Sequence, residues 1–210
     1  MLKNFALAGL LLLGSSSWAA VLELEAGKTV KEGVTISAGG MMTTDTTKLP
    51  MTTVGSGVRY KKVVFSLRVY VAELLVSEVA TFKKTEAEAL DSIPSQSGVA
   101  MHLTFLRDVP ADKLYEAFAS SLAANGLDSS DPDIAAFNNL AQQGGAGVDG
   151  GTLTIAIYKN ASGGETLAYE NGSYTGEISG AAGLAKKIMS IWLGVPADNQ
   201  LAQLKTELLQ

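Results

Sequence analysis

Cysteine is absent from this 210-residue chain. The absence excludes disulfides, thiol catalysis, thiolate metal sites and a lipid anchor on an N-terminal cysteine. A fold without disulfides must be stabilised by its core, and 47% of the residues are apolar. The sequence has no internal repeat and no second domain boundary, so we expect one domain over residues 20–210.

Histidine occurs once, as His102. It lies in an alternating segment, Gly98 to Arg107, which predicts a strand. Because no second histidine exists and no Asp or Glu stands at ligand spacing, we expect an exposed or cross-strand residue and not a metal ligand. A Ser-His-Asp site is also unsupported, since no serine lies in a nucleophile-elbow pattern.

Positive charge is scarce, with 16 Lys and Arg against 21 Asp and Glu and a net charge of −5. Nucleic acid is not an expected partner, because no basic patch offsets its phosphate charge. The glycine-rich segment 144–151 lacks the lysine of a phosphate-binding loop, so it is interpreted as a flexible connector. No motif indicates a cofactor or a metal, and we expect neither.

Only one compact apolar run stands out, Phe5 to Leu13, and it follows the positive charge of Lys3. With small residues at Ser17 and Ala19, this pattern predicts a signal peptide over residues 1–19, cut after Ala19. The run is shorter than the roughly 20 apolar residues that span a bilayer. We therefore expect a periplasmic or secreted protein without an integral membrane segment after cleavage.

The remaining pattern predicts an α+β fold. Strand-like segments come first, then helices, then strands around the hairpin signal Asn171-Gly172, then two more helices. That order is typical of an antiparallel β-sheet packed on one face by a layer of helices. A short helix is expected over Thr85–Ile93, stopped by Pro94, and a loop in the polar, threonine-rich stretch with Gly39-Gly40.

Residues 54–75 form the stretch around which the sequence is organised. Gly55-Ser56-Gly57 precedes Arg59, and a period-2 pattern begins at Val63. Two faces are expected from that pattern. The apolar face, which should meet a core, holds Phe65, Leu67, Val69, Val71 and Leu75. The mixed face, suited to a surface or a cleft, holds Ser66, Arg68, Tyr70 and Ala72.

The segments GSGVR and VYVAELLV resemble the central hairpin of the chalcone isomerase-like family, and a Leu-Pro such as Leu49-Pro50 precedes it in the bacterial secreted branch. The tail ISGAAGLAKKIMSIWLGVPAD is similar to that family too, so the resemblance covers the chain from Leu49 to its end. It implies an open-faced sandwich with a ligand cleft between the sheet and the helices. A shared fold does not by itself transfer a function.

The same resemblance implies a role for Arg59, since the arginine of the GVR motif points into the cleft in relatives and meets an anion. A guanidinium group stays charged when dehydrated, and its planar fork matches a carboxylate or an enolate. Taken without the resemblance, Arg59 would be an ordinary strand arginine, exposed or paired with a carboxylate such as Glu73.

The family contains both enzymes and fatty-acid-binding proteins, and Tyr70 discriminates between them. Tyr70 aligns with a threonine that activates the ketone in the plant enzymes, whereas the fatty-acid-binding relatives carry tyrosine there. The enzymes' catalytic tyrosine has no counterpart around Val109 to Asp112, and Tyr115 comes about one turn late. Ser66 could take the part of the threonine only in an alternative register, which fits the rest of the strand less well. Ser66 and Tyr115 are therefore kept only as candidate cleft-lining residues.

The sequence therefore predicts an exported, non-catalytic protein that binds a small apolar carboxylate such as a fatty acid, with Arg59 and Tyr70 holding the head group. Two alternatives remain open. One is an isomerase (intramolecular lyase) of the chalcone isomerase type. The other is a structural or assembly protein with a vestigial cleft, in which Trp192 and the last helix form a partner surface.

Overall fold

The computed structural model describes residues 20–62 and 64–210. The strands form one eight-stranded sheet in sequence order, with every neighbouring pair antiparallel. The strands are β1 (Leu22–Lys31), β2 (Val34–Thr43), β3 (Lys48–Lys62), β4 (Ser66–Val76), β5 (Gly98–Phe105), β6 (Thr152–Lys159), β7 (Glu165–Asn171) and β8 (Tyr174–Gly180). The helices are α1 (Ala89–Ser92), α2 (Ala111–Ala124), α3 (Pro132–Gln143), α4 (Leu184–Leu193) and α5 (Asn199–Leu208).

The helices pack on one face of the sheet and form the main core with it, which confirms the predicted α+β class. Apolar residues at alternate positions of β4 to β7 supply the sheet side of this core. The largest helix side chains in it are Phe118, Phe137 and Trp192, whose rings pack against one another around Phe118 at centroid distances of 5.8 Å.

The opposite face of the sheet is buried as well, because the sheet curls on itself. The backbone N–H of Val21, just before β1, donates to Oε1 of Glu170 on β7 over 2.8 Å. A second apolar cluster fills the space between them and includes Met42, Leu75 and Ala156. The central strands are therefore covered on both sides.

A β-bulge at Val69 interrupts the alternation predicted for β4. Arg59 pairs with Tyr70 and Tyr60 pairs with Arg68, which leaves Val69 without a partner on β3. The predicted division into faces is therefore wrong. Val69 and Tyr70 both meet the helix-side core. Two residues assigned to the apolar face pack on the other side, Val71 and Leu75, and a third, Phe65, is 69% exposed.

Two other local predictions need correction. The loop predicted in the threonine-rich stretch is confined to residues 44–47, between β2 and β3, whereas Gly39 and Gly40 belong to β2. A Cβ at Gly40 would lie 2.1 Å from the Glu23 carbonyl oxygen of β1. The helix expected over Thr85–Ile93 is one turn, α1, continued by a 3₁₀ turn over Ile93–Ser95. Pro94 lies within that turn and not after it.

Two helix boundaries carry the usual local sequence signals. Asp131 caps α3, with its side chain accepting the N–H of Asp133 over 2.9 Å, and Pro132 is the first helical residue. Asn125 ends α2, followed by Gly126 at a φ of +70°. In the described part of the chain, every helix is too short or too polar to cross a bilayer. The predicted signal peptide, residues 1–19, lies outside the described residues.

Candidate functional site

A cavity of about 470 Å³ lies between the sheet and the helix layer. Its walls come from β3, β4, the start of α2, and the segment that joins α4 to α5. The apolar part of the lining includes Leu67, Val69, Leu114, Phe118, Ile191 and Leu201. This volume lies within the range of about 300–1,000 Å³ that is usual for small-molecule sites.

Arg59 and Tyr70 both line this cavity. They are directly paired residues on β3 and β4, and directly paired side chains in an antiparallel sheet point to the same face. The two residues singled out from the sequence are therefore brought together in the cleft. Both already have partners within the protein.

The guanidinium group of Arg59 makes a two-pronged ion pair with Asp198. Nη2 donates to Oδ2 over 2.6 Å and Nη1 donates to Oδ1 over 2.9 Å, while Nη1 also donates to the carbonyl of Tyr60. The Arg59 side chain is only 13% exposed. The partner is thus Asp198 and not Glu73, which lies buried on the other face and accepts both the N–H and the hydroxyl of Ser37.

Asp198 also caps α5. Its Oδ1 accepts the backbone N–H of Leu201 over 2.8 Å. Burial opposes ionisation of this carboxyl, but the hydrogen bonds from Arg59 and from the Leu201 backbone hold the pKa of Asp198 below its usual value. Arg59 therefore binds the N-terminus of α5 to β3.

α5 packs against the sheet at the Gly55-Ser56-Gly57 motif of β3. A Cβ at Gly55 would stand 1.9 Å from the carbonyl oxygen of Leu208, and one at Gly57 would stand 2.7 Å from Cδ1 of Leu204. The missing side chains let the helix approach the strand. Sequence reasoning missed this role, although two glycines inside a strand pattern are a signal of close backbone approach.

Tyr70 is buried, with 7% of its surface exposed. Its hydroxyl oxygen accepts a hydrogen bond from Nε1 of Trp192 over 3.2 Å, and its ring meets Phe105 edge-on. Burial raises the pKa of Tyr70, so the hydroxyl keeps its proton and can donate it to a ligand. Trp192 is 1% exposed, which removes it from any partner surface.

The two candidate cleft-lining residues lie elsewhere. Ser66 is exposed at the start of β4, where it pairs with Lys62. Tyr115 packs at the margin of the main core and is not among the residues that line the cavity. The α2 residues that line the cavity include Leu114, Ala117 and Phe118, on either side of Tyr115 in the sequence.

Charged residues that the sequence analysis did not single out surround the cavity. Lys61, Arg107 and Lys113 are the additional cations in the lining. Lys113 is paired with Glu116 over 2.8 Å, whereas Lys61 and Arg107 make no ion pair among residues 20–62 and 64–210. These two cations can compensate the charge of an anionic ligand. Lys61 could have been found from its place two residues after Arg59 on the same strand.

His102 lies on the sheet face opposite to the main core. It is the cross-strand partner of Glu73 and of Thr154, and its Nδ1 lies 2.9 Å from the Thr154 hydroxyl. Burial lowers the pKa of His102 to about 4. Across the described ranges, no group of three or more His, Asp or Glu side chains is arranged to hold a metal ion.

We expect Arg59→Gln to destabilise the protein by about 1–2 kcal/mol, because it leaves the partly buried Asp198 without its partner. If Arg59 had no carboxylate partner, the same substitution would leave the free energy of unfolding unchanged or increase it. Urea denaturation measures the difference. The matched control is Arg68→Gln, since the Arg68 side chain is 59% exposed in its pair with Glu32 and its replacement should leave the free energy of unfolding almost unchanged. Equal effects of the two changes would contradict a structural role for the Arg59 pair.

Comparison with known proteins identifies the family and shows solved structures with a similar fold. A sequence model described as chalcone isomerase-like matches residues 31–210. The crystal structure of a fatty-acid-binding protein from Arabidopsis thaliana aligns over 88% of this chain and 96% of its own, with a TM-score of 0.59 and 14% identity. At that identity the likeness concerns the fold. No curated protein sequence matches the chain. The resemblance found in the sequence is confirmed.

Proposed function

The chain belongs to the chalcone isomerase-like family, and from this premise we propose that it binds a small apolar carboxylate, such as a fatty acid, without catalysing a reaction on it. One observation carries the proposal: a cavity of about 470 Å³ has apolar walls, Arg59 beside Tyr70, and two further cations, Lys61 and Arg107, that form no ion pair with any described residue. Apolar walls with a few convergent polar groups are the usual form of a small-molecule site. A fatty-acid-binding protein with the same fold supports the choice of ligand class.

The head group would bind at Arg59 and Tyr70. Arg59 has five N–H groups, and its bonds to Asp198 and to the Tyr60 carbonyl use three of them. The two others and the Tyr70 hydroxyl are donors for a carboxylate. Asp198 already neutralises Arg59, so the charge of the ligand is compensated by Lys61, the next residue on the cavity side of β3.

The apolar tail would lie along the inner surface of α2. Leu114 and Phe118 on that helix face Leu67 and Val69 on β4, and these side chains carry no charge that would need solvation in contact with a hydrocarbon. Burying an acyl chain here gains roughly 25 cal/mol for each Å² of apolar surface removed from water.

The ion pair of Arg59 also supports a non-catalytic role. Closure of a chalcone ring requires that negative charge developing on an enolate oxygen be stabilised in the transition state. The Arg59 charge is already balanced by Asp198, and Tyr70 occupies the place of the family's catalytic threonine. We therefore expect no chalcone cyclisation above the uncatalysed rate. Stereoselective turnover that Arg59→Ala abolishes would establish the isomerase alternative instead.

Blocking the cavity tests the proposed function. Ala117 lies on α2, is exposed and lines the cavity, so Ala117→Trp should fill the cavity without disturbing the core. We expect fatty-acid binding, measured by fluorescence titration and by native mass spectrometry of the purified protein, to fall at least about tenfold, or 1.4 kcal/mol.

The matched control is Ala123→Trp, an exposed position on the same helix that does not line the cavity. It should leave binding unchanged. If the wild-type protein carries no lipid and binds none, the cleft is vestigial and the structural alternative is correct. Equal loss in both variants would place the ligand outside this cavity.

We also propose that the protein is exported and that its mature chain begins at Ala20. The support is the residue pattern over 1–19, with small residues at Ser17 and Ala19. Intact-mass measurement of the protein from a periplasmic or extracellular fraction decides the point. Recovery of a chain that still carries Met1 in the membrane fraction would refute both the cleavage and the absence of a membrane anchor.

A further inference from the structure

The turn between β3 and β4 exposes apolar side chains. Val64 is 89% exposed and Phe65 is 69% exposed, the two highest values among the large hydrophobic residues of the described chain. Other exposed residues of this kind are isolated valines, such as Val148 and Val195. Neighbouring exposed apolar side chains at a hairpin tip cost solubility and indicate a binding role.

This turn lies in a part of the sequence whose charged residues are all basic. Between Asp45 and Glu73 the chain has no acidic residue but several lysines and arginines, although acidic residues outnumber basic ones overall. Lys61 and Lys62 are exposed beside the tip, and neither makes an ion pair within the described residues. Apolar residues flanked by unpaired lysines are complementary to an anionic lipid surface.

The tip also continues one wall of the cavity. The paired residues Arg59 and Tyr70 line its inner part, and the next inward-facing pair, Lys61 and Leu67, lines the part nearer to the turn. The described residues of the hairpin therefore extend from the cavity to the exposed Phe65. A surface that contacts this turn would lie next to the opening of the cavity.

From these observations we propose that the β3–β4 turn docks on an anionic lipid bilayer, with Val64 and Phe65 entering the interface and Lys62 contacting the head groups. Two adjacent exposed apolar side chains are too small a surface for a stable protein interface, but they suit shallow insertion among lipids. The docking does not depend on which ligand the cavity holds.

Co-sedimentation with vesicles tests the proposal. One set contains equal parts of phosphatidylglycerol and phosphatidylcholine, and the other contains phosphatidylcholine alone. We expect the wild-type protein to bind the anionic set, to bind the neutral set weakly, and to be released by high salt. Phe65→Ser should weaken binding at least about tenfold, and Lys62→Gln about fivefold.

Val148→Ser is the matched control, because Val148 is 61% exposed but lies outside the β3–β4 turn. It should bind vesicles like the wild type. Phe65→Trp adds a local probe, whose emission should shift to the blue with anionic vesicles, since Trp192 is already buried.

Absence of binding to the anionic set, or equal binding by wild type and Phe65→Ser, would overturn the proposal. Fatty-acid titration without vesicles should be unchanged by Phe65→Ser. Vesicle binding by a protein that binds no fatty acid would therefore refute the proposed function and leave this docking in place.

Discussion

Gly55→Ala should destabilise the protein by about 3 kcal/mol or more. The new Cβ would stand 1.9 Å from the carbonyl oxygen of Leu208, which is backbone and can move only if α5 moves away from β3. Overpacking of this kind costs about 1–3 kcal/mol when side chains can adjust and more when they cannot. Thermal unfolding should show a midpoint lower by about 6–12 °C for a chain of this length.

Ser56→Ala is the control for this change, because it alters the same motif without adding an atom toward the helix. Its effect should stay below about 1 kcal/mol. If Gly55→Ala unfolds at the wild-type temperature, α5 does not lie against the GSG motif in solution. The structural reason given for the motif would then be wrong.

Acidification from pH 7 to pH 4 should remove about 3 kcal/mol of stability through His102 alone. Burial lowers its pKa to about 4 in the folded protein, whereas an unfolded histidine titrates near 6.5. Between these values the unfolded chain binds the proton and the folded chain does not, so the free energy of unfolding decreases as the pH falls through that window. Urea denaturation at a series of pH values measures the decrease.

His102→Gln should flatten the stability profile between pH 6.5 and pH 4. The carboxyl groups with lowered pKa values, including Asp131 and Asp198, lose their contribution only below their ordinary range near 4. Protonation of these carboxyl groups therefore changes the free energy of unfolding little in the upper part of this pH range. An unchanged profile in His102→Gln would show that another group controls the acid sensitivity.

Much of the fold follows from local patterns. The alternation of β5 places Val99, Met101, Leu103 and Phe105 in the main core, as the sequence indicates, because a strand has a strict period of two. The cap of α3 at Asp131 is likewise a local signal. The bulge at Val69 and the packing of Leu75 on the face opposite the helices escape prediction, since both depend on how the sheet curls and not on neighbouring residues.

The site is only partly predictable for a related reason. Arg59 and Tyr70 are identified through a family resemblance, and their cross-strand pairing brings them to one wall of the cavity. Asp198 is recognisable in the sequence as a helix cap, but its ion pair joins residues 139 positions apart. No periodic pattern records such a separation. The structural roles of Gly55 and Gly57 are hidden for the same reason.

The placement of α5 has a consequence for the order of folding. Each strand pairs with the strand next to it in sequence, so the sheet can assemble by local steps as the chain emerges, and such contacts form quickly. The surface of β3 around Gly55 and Gly57 is covered by α5, which follows all eight strands in the sequence. Once the eight strands have paired, the sheet thus presents an open glycine surface until α5 docks, so we expect closure of this surface to be a late step in folding.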